Sequence, residues 1–358
     1  MVVTQFAQFQ NINLVYLPQK MKRFHVPGIP FSQPKILREP EAFYVDSKDL
    51  MKKTYPLNRL PDMIMIGAKK CGTGAFQNFI KNHYKVKMAN SEEIHFFDNS
   101  YNQDVNWYMQ KFPNTYKDYN ISLIEKSPNY FPTVETPERI FDTFSQVCGE
   151  KYCHNKLKII LVLCNPSLRA YSDYVHTLGL PKWAASKELK EQILEYGTFE
   201  EYAEAAFRKS VVNPQFNFNF DDPVFYPITK GIYLPQLKNW LKYFNKNQFV
   251  IVDGDKLLTN PGPEMVKAQK LLDLNVEITE KNFVINESTG HYCFNLNPKG
   301  NGRNQCLGAA KGRTKSSDGS SKVSEKARKV LDKIFHKYNL ELLNFLGSQE
   351  SEMINKWM

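Results

Sequence analysis

Four short runs, Met63–Ile66, Ser122–Glu125, Lys158–Cys164 and Phe249–Val252, are dominated by apolar residues without polar alternation. Runs of this length are too short for buried helices and read as strands covered on both faces. Between them the apolar period lengthens. Phe76, Phe79 and Ile80 share one face after Ala75, and Tyr233, Leu237, Trp240, Leu241 and Phe244 recur at helical spacing within Gly231–Phe244. Asn165 stands as an N-cap with Pro166 at the first helical position, and further helices are expected over Phe199–Lys209, Pro263–Leu272 and Val323–Phe345. Strands alternating with helices predict an α/β fold built on a mostly parallel, helix-covered sheet. Residues 1–57 are rich in proline, lysine and aromatics without sustained periodicity and read as an extended leader. The expected domain runs from 58 to 347, followed by a tail, 348–358.

The first strand stops at Gly67-Ala68-Lys69-Lys70-Cys71-Gly72-Thr73-Gly74. A strand, loop and helix in this order aim backbone N–H groups and a helix N-terminus at one point, and the lysines add charge for a phosphorylated or sulfated ligand. Gly67 and Gly72 have the spacing of a nucleotide-triphosphatase loop. That loop needs lysine after its second glycine, whereas Thr73 follows Gly72 and both lysines precede it.

Other stretches carry candidate chemistry. Ser91-Glu92-Glu93-Ile94-His95-Phe96-Phe97-Asp98 sets carboxylates and an imidazole around an aromatic pair. Aromatic neighbours that desolvate a carboxylate move its pKa toward neutrality, as a general base requires; an ordinary loop with solvated acids is the alternative. Lys126 ends the second strand, where ligands of α/β sheets bind. Arg169, Ser172 and His176 recur on one helical stripe, either a solvated face or a phosphate site. Lys299–Lys315 carries Lys299, Arg303, Lys311, Arg313 and Lys315 with glycines and no acid, either to close over an anion or to solubilise.

A net charge of +10 favours polyanions, with nucleic acid, acidic polysaccharide and anionic membrane all admissible. No apolar segment reaches the ~18 to 20 residues of a membrane span, and Met1–Phe24 lacks the order of a signal peptide. Sequons at Asn120-Ile121-Ser122 and Asn286-Glu287-Ser288 tip the balance slightly away from the cytosol. Among six cysteines, Cys148 with Cys153 and Cys293 with Cys306 have the placing of local disulfides if the compartment is oxidising. A zinc site is the rival, and would need four converging ligands.

With these residues in hand, the chain resembles the sulfotransferase domain of the heparan sulfate glucosaminyl sulfotransferases over about Leu60–Gly347. The markers are Lys69-Lys70-Cys71-Gly72-Thr73, Glu93-Ile94-His95-Phe96-Phe97-Asp98, Glu125-Lys126-Ser127-Pro128-Asn129-Tyr130-Phe131, Asn165-Pro166 through Arg169 and Ser172-Asp173-Tyr174, and Cys306-Leu307-Gly308 with Lys311-Gly312-Arg313. The resemblance implies a P-loop-like parallel sheet flanked by helices, using 3′-phosphoadenosine 5′-phosphosulfate (PAPS) as co-substrate without a metal. It implies that Lys70 and the backbone of Cys71, Gly72 and Thr73 hold the phosphosulfate, Ser172 the 3′-phosphate, and Lys311, Gly312 and Arg313 close on the nucleotide. Glu93 would be the base, Lys126 would neutralise the transferring group or orient the acceptor, and His95, Asp98 and His176 would line the acceptor cleft. The implied partner is heparan sulfate or a related acidic polysaccharide rather than nucleic acid, and the implied address is the Golgi lumen, although the sequence shows no anchor.

His95-Phe96-Phe97-Asp98 and Gly231-Ile232-Tyr233 look like the 3-O-sulfotransferases, whereas Asn165-Pro166, His176 and Trp107-Tyr108-Met109 look like the N-sulfotransferase half of bifunctional enzymes whose deacetylase this chain is too short to hold. Gly74 and Cys164 stand where the 3-O enzymes carry arginines. The alternatives to 3-O transfer are therefore N-sulfation and a non-catalytic, heparan-binding relative.

Overall fold

The computed structural model describes residues 59–113, 120–148, 156–181, 186–212, 222–288, 290–296, 304–307, 323–348 and 350–358. The leader, Cys153 and the Lys311, Gly312, Arg313 segment lie outside the described residues.

Strand β1 (Met63–Gly67) occupies the centre of a five-stranded sheet in the order β2–β3–β1–β4–β5, completed by β2 (Val86–Met88), β3 (Ser122–Lys126), β4 (Lys158–Leu163) and β5 (Phe249–Asp253). Every pairing is parallel. All of β1 is buried, as is β4 beyond Lys158, which explains why these runs lack a polar face.

The chain leaves β1 through the 67–73 loop into α1 (Thr73–Ile80), whose Phe76, Phe79 and Ile80 enter the core. Short helices α2 (Phe96–Asn99) and α3 (Val105–Met109) precede β3, and α4 (Thr136–Cys148) follows it. After β4, the Asn165 side chain accepts the N–H groups of Ser167 and Leu168 and starts α5 (Pro166–Gly179), as the N-cap pattern predicts. Helices α6 (Lys187–Leu194), α7 (Phe199–Val212), α8 (Tyr226–Thr229) and α9 (Tyr233–Trp240) lead to β5. Part of this group packs with α12 (Glu325–Leu346) as a second core around Tyr202, Phe225 and Phe335. Helices α10 (Gly254–Thr259) and α11 (Pro261–Leu271) directly follow β5.

Strand β2 and helices α2, α3, α4 and α6 are not among the elements expected from sequence, and two further regions differ more in kind. Residues 283–306 contain a three-stranded antiparallel sheet, β6 (Phe283–Asn286), β7 (His291–Asn295) and β8 (Asn304–Cys306). Its strands are short and partly exposed, so no clean alternation marks them. The closing residues, read as a tail, form α13 (Ser351–Asn355), and Met353, Ile354 and Trp357 are buried. Their helical spacing is an apolar stripe too short to stand out by itself.

Two disulfides are present among the described residues. Cys293 faces Cys306 in register and is bonded to it. Cys71, in the first loop, is bonded to Cys164 at the end of β4, with a Cα–Cα distance of 5.3 Å. The sequence reading left both of these cysteines unpaired. The bonds close loops of very different size, with separations of 93 residues for Cys71–Cys164 and 13 for Cys293–Cys306. Chain entropy assigns roughly 4–5 kcal/mol to the larger loop and roughly 3 to the smaller. Replacing both Cys71 and Cys164 by alanine should therefore lower the unfolding free energy more than replacing Cys293 and Cys306, as read by urea denaturation. Equal losses would show that loop size is not what governs them.

Candidate active site

The 67–73 loop is shaped by close backbone approaches. Ala68 donates its N–H to Val162 O at 2.8 Å, and Cys71 donates to Ala68 O at 3.1 Å. Gly72 has φ of 94°, a conformation that glycine adopts without a Cβ clash. A Cβ on Gly254 would stand 2.1 Å from Cys71 O, so only glycine lets the start of α10 come this near. Helix α1 begins without a side-chain cap, which leaves backbone donors of its N-terminus turned to the loop. The disulfide pins the loop to β4, and the Tyr233 hydroxyl donates to Cys164 O at 2.9 Å while lying 3.3 Å from Cys71 Sγ. Cys71 thus offers a ligand its backbone and no thiol.

Lys70 protrudes from this loop, half-buried, with no ion-pair partner among the described residues. Burial pulls its pKa down, Asp173 opposes that, and Lys69 adds to it. Lys69 itself pairs with Asp173 at 3.0 Å, and the fully buried Arg169 binds the other oxygen of Asp173 at 3.0 Å. Burial would raise the Asp173 pKa, but Lys69, Arg169 and Lys230 hold it at about 2. Lys230, which the sequence reading passed over beside Gly231-Ile232-Tyr233, donates to Asn129 Oδ1 at 3.1 Å. Its pKa falls to about 8 through burial, with Asp173 opposing and Lys69 and Arg169 reinforcing. Three cations thus surround one carboxylate. The surplus positive charge favours an anion.

The helical stripe of Arg169, Ser172 and His176 divides by depth along α5. Arg169 is internal, Ser172 half-buried and His176 exposed at one edge. His176 is pulled down to about 4 by partial burial and then by Lys70 and Lys69, so it is neutral at pH 7 and lies within charge reach of the first loop.

The second half of the site lies where β3 ends. Lys126 Nζ, almost wholly buried, donates to Glu93 Oε1 at 2.8 Å. His95 Nε2 meets Glu93 Oε2 at 3.0 Å, and its Nδ1 meets Asp98 Oδ2 at 2.9 Å. His95 has φ of 54°, and this left-handed turn lets one imidazole reach both carboxylates. Burial lowers the His95 pKa, but Asp98 and Glu93 outweigh it and raise it to about 9, so His95 is an imidazolium at neutral pH. Burial likewise raises Glu93, yet His95 and Lys126 bring it down to about 2.

That last direction corrects an expectation. Phe96 and Phe97 were to desolvate the acid and raise its pKa toward neutrality. Instead both rings turn into the core against Tyr108, with centroids 4.7 and 5.1 Å away, while about a third of the Glu93 side chain stays exposed. Opposite charges, not aromatic neighbours, set its protonation.

Glu93, His95, Asp98 and Lys126 thus stand together, and Glu93 and Lys70 lie within charge reach of one another. Among the described residues no group of three or more His, Cys, Asp or Glu is arranged to hold a metal ion, and no helix is long and apolar enough to cross a membrane.

Comparison with known proteins agrees with this architecture. Residues 60–346 match the family model described as Sulfotransferase domain. The chain is 33% identical over 303 residues to human heparan sulfate glucosamine 3-O-sulfotransferase 5, covering 84% of this chain and 76% of that one. It is 31% identical over 289 residues to human heparan sulfate glucosamine 3-O-sulfotransferase 3B1, covering 81% and 64%. A crystal structure of a sulfotransferase from Alicyclobacillus acidocaldarius superposes with a TM-score of 0.51 at 17% identity, over 80% of this chain and 96% of that one, a likeness of fold alone. With the parallel sheet, the glycine loop and the family match in agreement, this chain belongs to the sulfotransferase family, in its heparan sulfate glucosamine 3-O-sulfotransferase branch.

Proposed function

We propose that this protein transfers a sulfuryl group from 3′-phosphoadenosine 5′-phosphosulfate to the 3-hydroxyl of glucosamine units in heparan sulfate. The observation that carries the reading is Glu93, a carboxylate gripped by two cationic groups at the strand ends and within charge reach of Lys70.

The loop fits the donor. Gly72 and Gly254 keep its backbone clear of side chains, the α1 N-terminus presents N–H groups, and Lys70 supplies charge unmatched by an acid among the described residues. Lys70 with the backbone of Cys71, Gly72 and Thr73 would hold the phosphosulfate, and Ser172 would take the 3′-phosphate. Because Cys164 is spent in a disulfide and carries no charge, that phosphate depends on Ser172, backbone donors and the Lys311, Gly312, Arg313 segment. The donor supplies an activated sulfuryl group; the chain supplies a base and positive charge.

Glu93 would accept the proton of the attacking hydroxyl as the new S–O bond forms and the bond to the phosphate breaks. In the resting site His95 and Lys126 together suppress the basicity of Glu93. When Lys126 turns to the anionic sulfuryl oxygens, Glu93 keeps His95 but loses one of its two cations, and its proton affinity rises as the proton must be taken. Lys70 meets the charge that develops on the departing phosphate oxygen. His95, fixed by Asp98, keeps Glu93 in place, and His176 stands at the edge of the acceptor cleft.

A net charge of +10 suits an acidic polysaccharide, and two disulfides suit an oxidising compartment such as the Golgi lumen.

Glu93→Gln keeps the shape but cannot take the proton, so turnover measured by mass spectrometry of sulfated heparan fragments should fall by ~10² to 10⁴ with donor binding nearly intact. Exposed Glu92→Gln should stay near wild type; loss there and retention in Glu93→Gln would move the base by one residue, and retention in both would remove the mechanism. Activity should persist in EDTA, and chelator loss restored by magnesium would overturn the reading that lysines alone supply the charge. The raised His95 pKa makes its ion pairs fully stabilising below the ordinary value of 6.5 and lost as pH rises through about 9. Asp98→Asn should therefore move the alkaline loss of thermal stability to lower pH.

A further inference from the structure

Glu125 is a fully buried carboxyl that takes no part in the chemistry described above. It sits on β3 immediately before Lys126, and no ion pair reaches it among the described residues. Three hydroxyls do. Tyr108 donates to its Oε2 at 2.5 Å, while Ser127 at 2.9 Å and Tyr130 at 2.6 Å both donate to its Oε1. Burial pushes the Glu125 carboxyl up to about 7 in spite of these three donors, with Asp98 adding to the rise. A buried acid on a central sheet is unfavourable unless it satisfies other groups.

What it satisfies lies one step further on. Ser127 Oγ accepts the N–H of His95 at 3.0 Å, and the Tyr130 hydroxyl accepts those of Phe96 at 2.9 Å and Phe97 at 3.2 Å. A hydroxyl that receives backbone N–H groups must send its own proton elsewhere. In both cases it goes to Glu125. Three successive N–H groups, beginning at the left-handed residue His95, are thereby tied through two hydroxyls to a single carboxylate.

We propose that Glu125 is a positioning residue for the proposed transfer: by orienting Ser127 and Tyr130 it locks the backbone of His95–Phe97, and so holds the His95 imidazole between Asp98 and Glu93. Tyr108 satisfies the remaining oxygen and reaches no backbone donor of this turn among the described contacts. The role rests on the sulfotransferase reading for its kinetic consequence but not for its geometry. Displacements of about 1 Å at a reacting group cost up to ~10²-fold in rate.

The test severs the two branches separately. Ser127→Ala and Tyr130→Phe each remove one relay hydroxyl and leave Glu125 in place. Each should lower kcat by roughly 3- to 30-fold at unchanged donor KM, since the 67–73 loop is untouched. The His95 imidazole, followed by NMR, should titrate below about 9 in both variants. Glu125→Gln, whose amide oxygen can still accept from Ser127 and Tyr130 while its NH2 faces Tyr108, should keep more activity than Glu125→Leu. If the Leu variant does not fold, the two relay variants still decide.

Wild-type kcat with His95 still near 9 in the Ser127→Ala/Tyr130→Phe double variant would overturn the proposal. So would a rise in donor KM as large as the fall in kcat, which would mark general damage to the fold. If the wild-type protein transfers no sulfuryl group, the function proposed above fails, whereas the His95 titration still tests the positioning role without substrate.

Discussion

Parallel pairing of β1 with β3 on one side and β4 on the other is the constraint on which the site depends. Parallel strands all end at the same edge of a sheet, so the 67–73 loop, Lys126 and Cys164 emerge side by side from segments distant in sequence. A chain that reverses its direction of winding at a central strand opens a crevice at that edge. Here the glycine loop follows β1 at that edge, and the Glu93 and His95 turn meets it through Lys126 at the end of β3. The disulfide between Cys71 and Cys164 and the near contact of Gly254 with Cys71 O draw the loop onto neighbouring strands.

Charge is organised in two groups of opposite balance. Around Asp173, the cations Lys69, Arg169 and Lys230 outnumber the acid, and this leaves a field that suits a polyanionic donor and acceptor. Around His95, the carboxylates of Glu93 and Asp98 share an imidazolium and Lys126, which is close to neutral as a set. The second arrangement, through His95 and Lys126, keeps Glu93 ionised and only weakly basic.

The buried polar groups beneath the site follow the rule that each hydroxyl and N–H inside a protein needs a partner. Glu125 looks anomalous on a central strand until its hydroxyl contacts are traced to the turn that carries His95. Hydrogen bonds from neutral donors stabilise its ionised form only partly, so its pKa stays near 7. The unfavourable burial is offset by the backbone groups that the network satisfies.

Local pattern by itself determined β1, β3, β4 and β5 and the helices α1, α5, α7, α9, α11 and α12, because runs such as Lys158–Cys164 and the Asn165-Pro166 start signal depend on neighbours in sequence. The glycine loop with its lysines, and the grouping of Glu93, His95 and Asp98, were legible for the same reason. The tertiary structure decided the rest. Cys71 pairs with Cys164 because β1 and β4 lie next to each other, a consequence of strand order that no spacing reveals. Lys230 joins the cations around Asp173 through the fold, where the end of α8 packs against Asn129. The protonation of Glu93 ran opposite to expectation because it depends on which side chains face it, and only the fold turned Phe96 and Phe97 inward and Lys126 toward the carboxylate. Sequence records which groups are available, whereas pKa and pairing are set by distances across the chain that arise on folding.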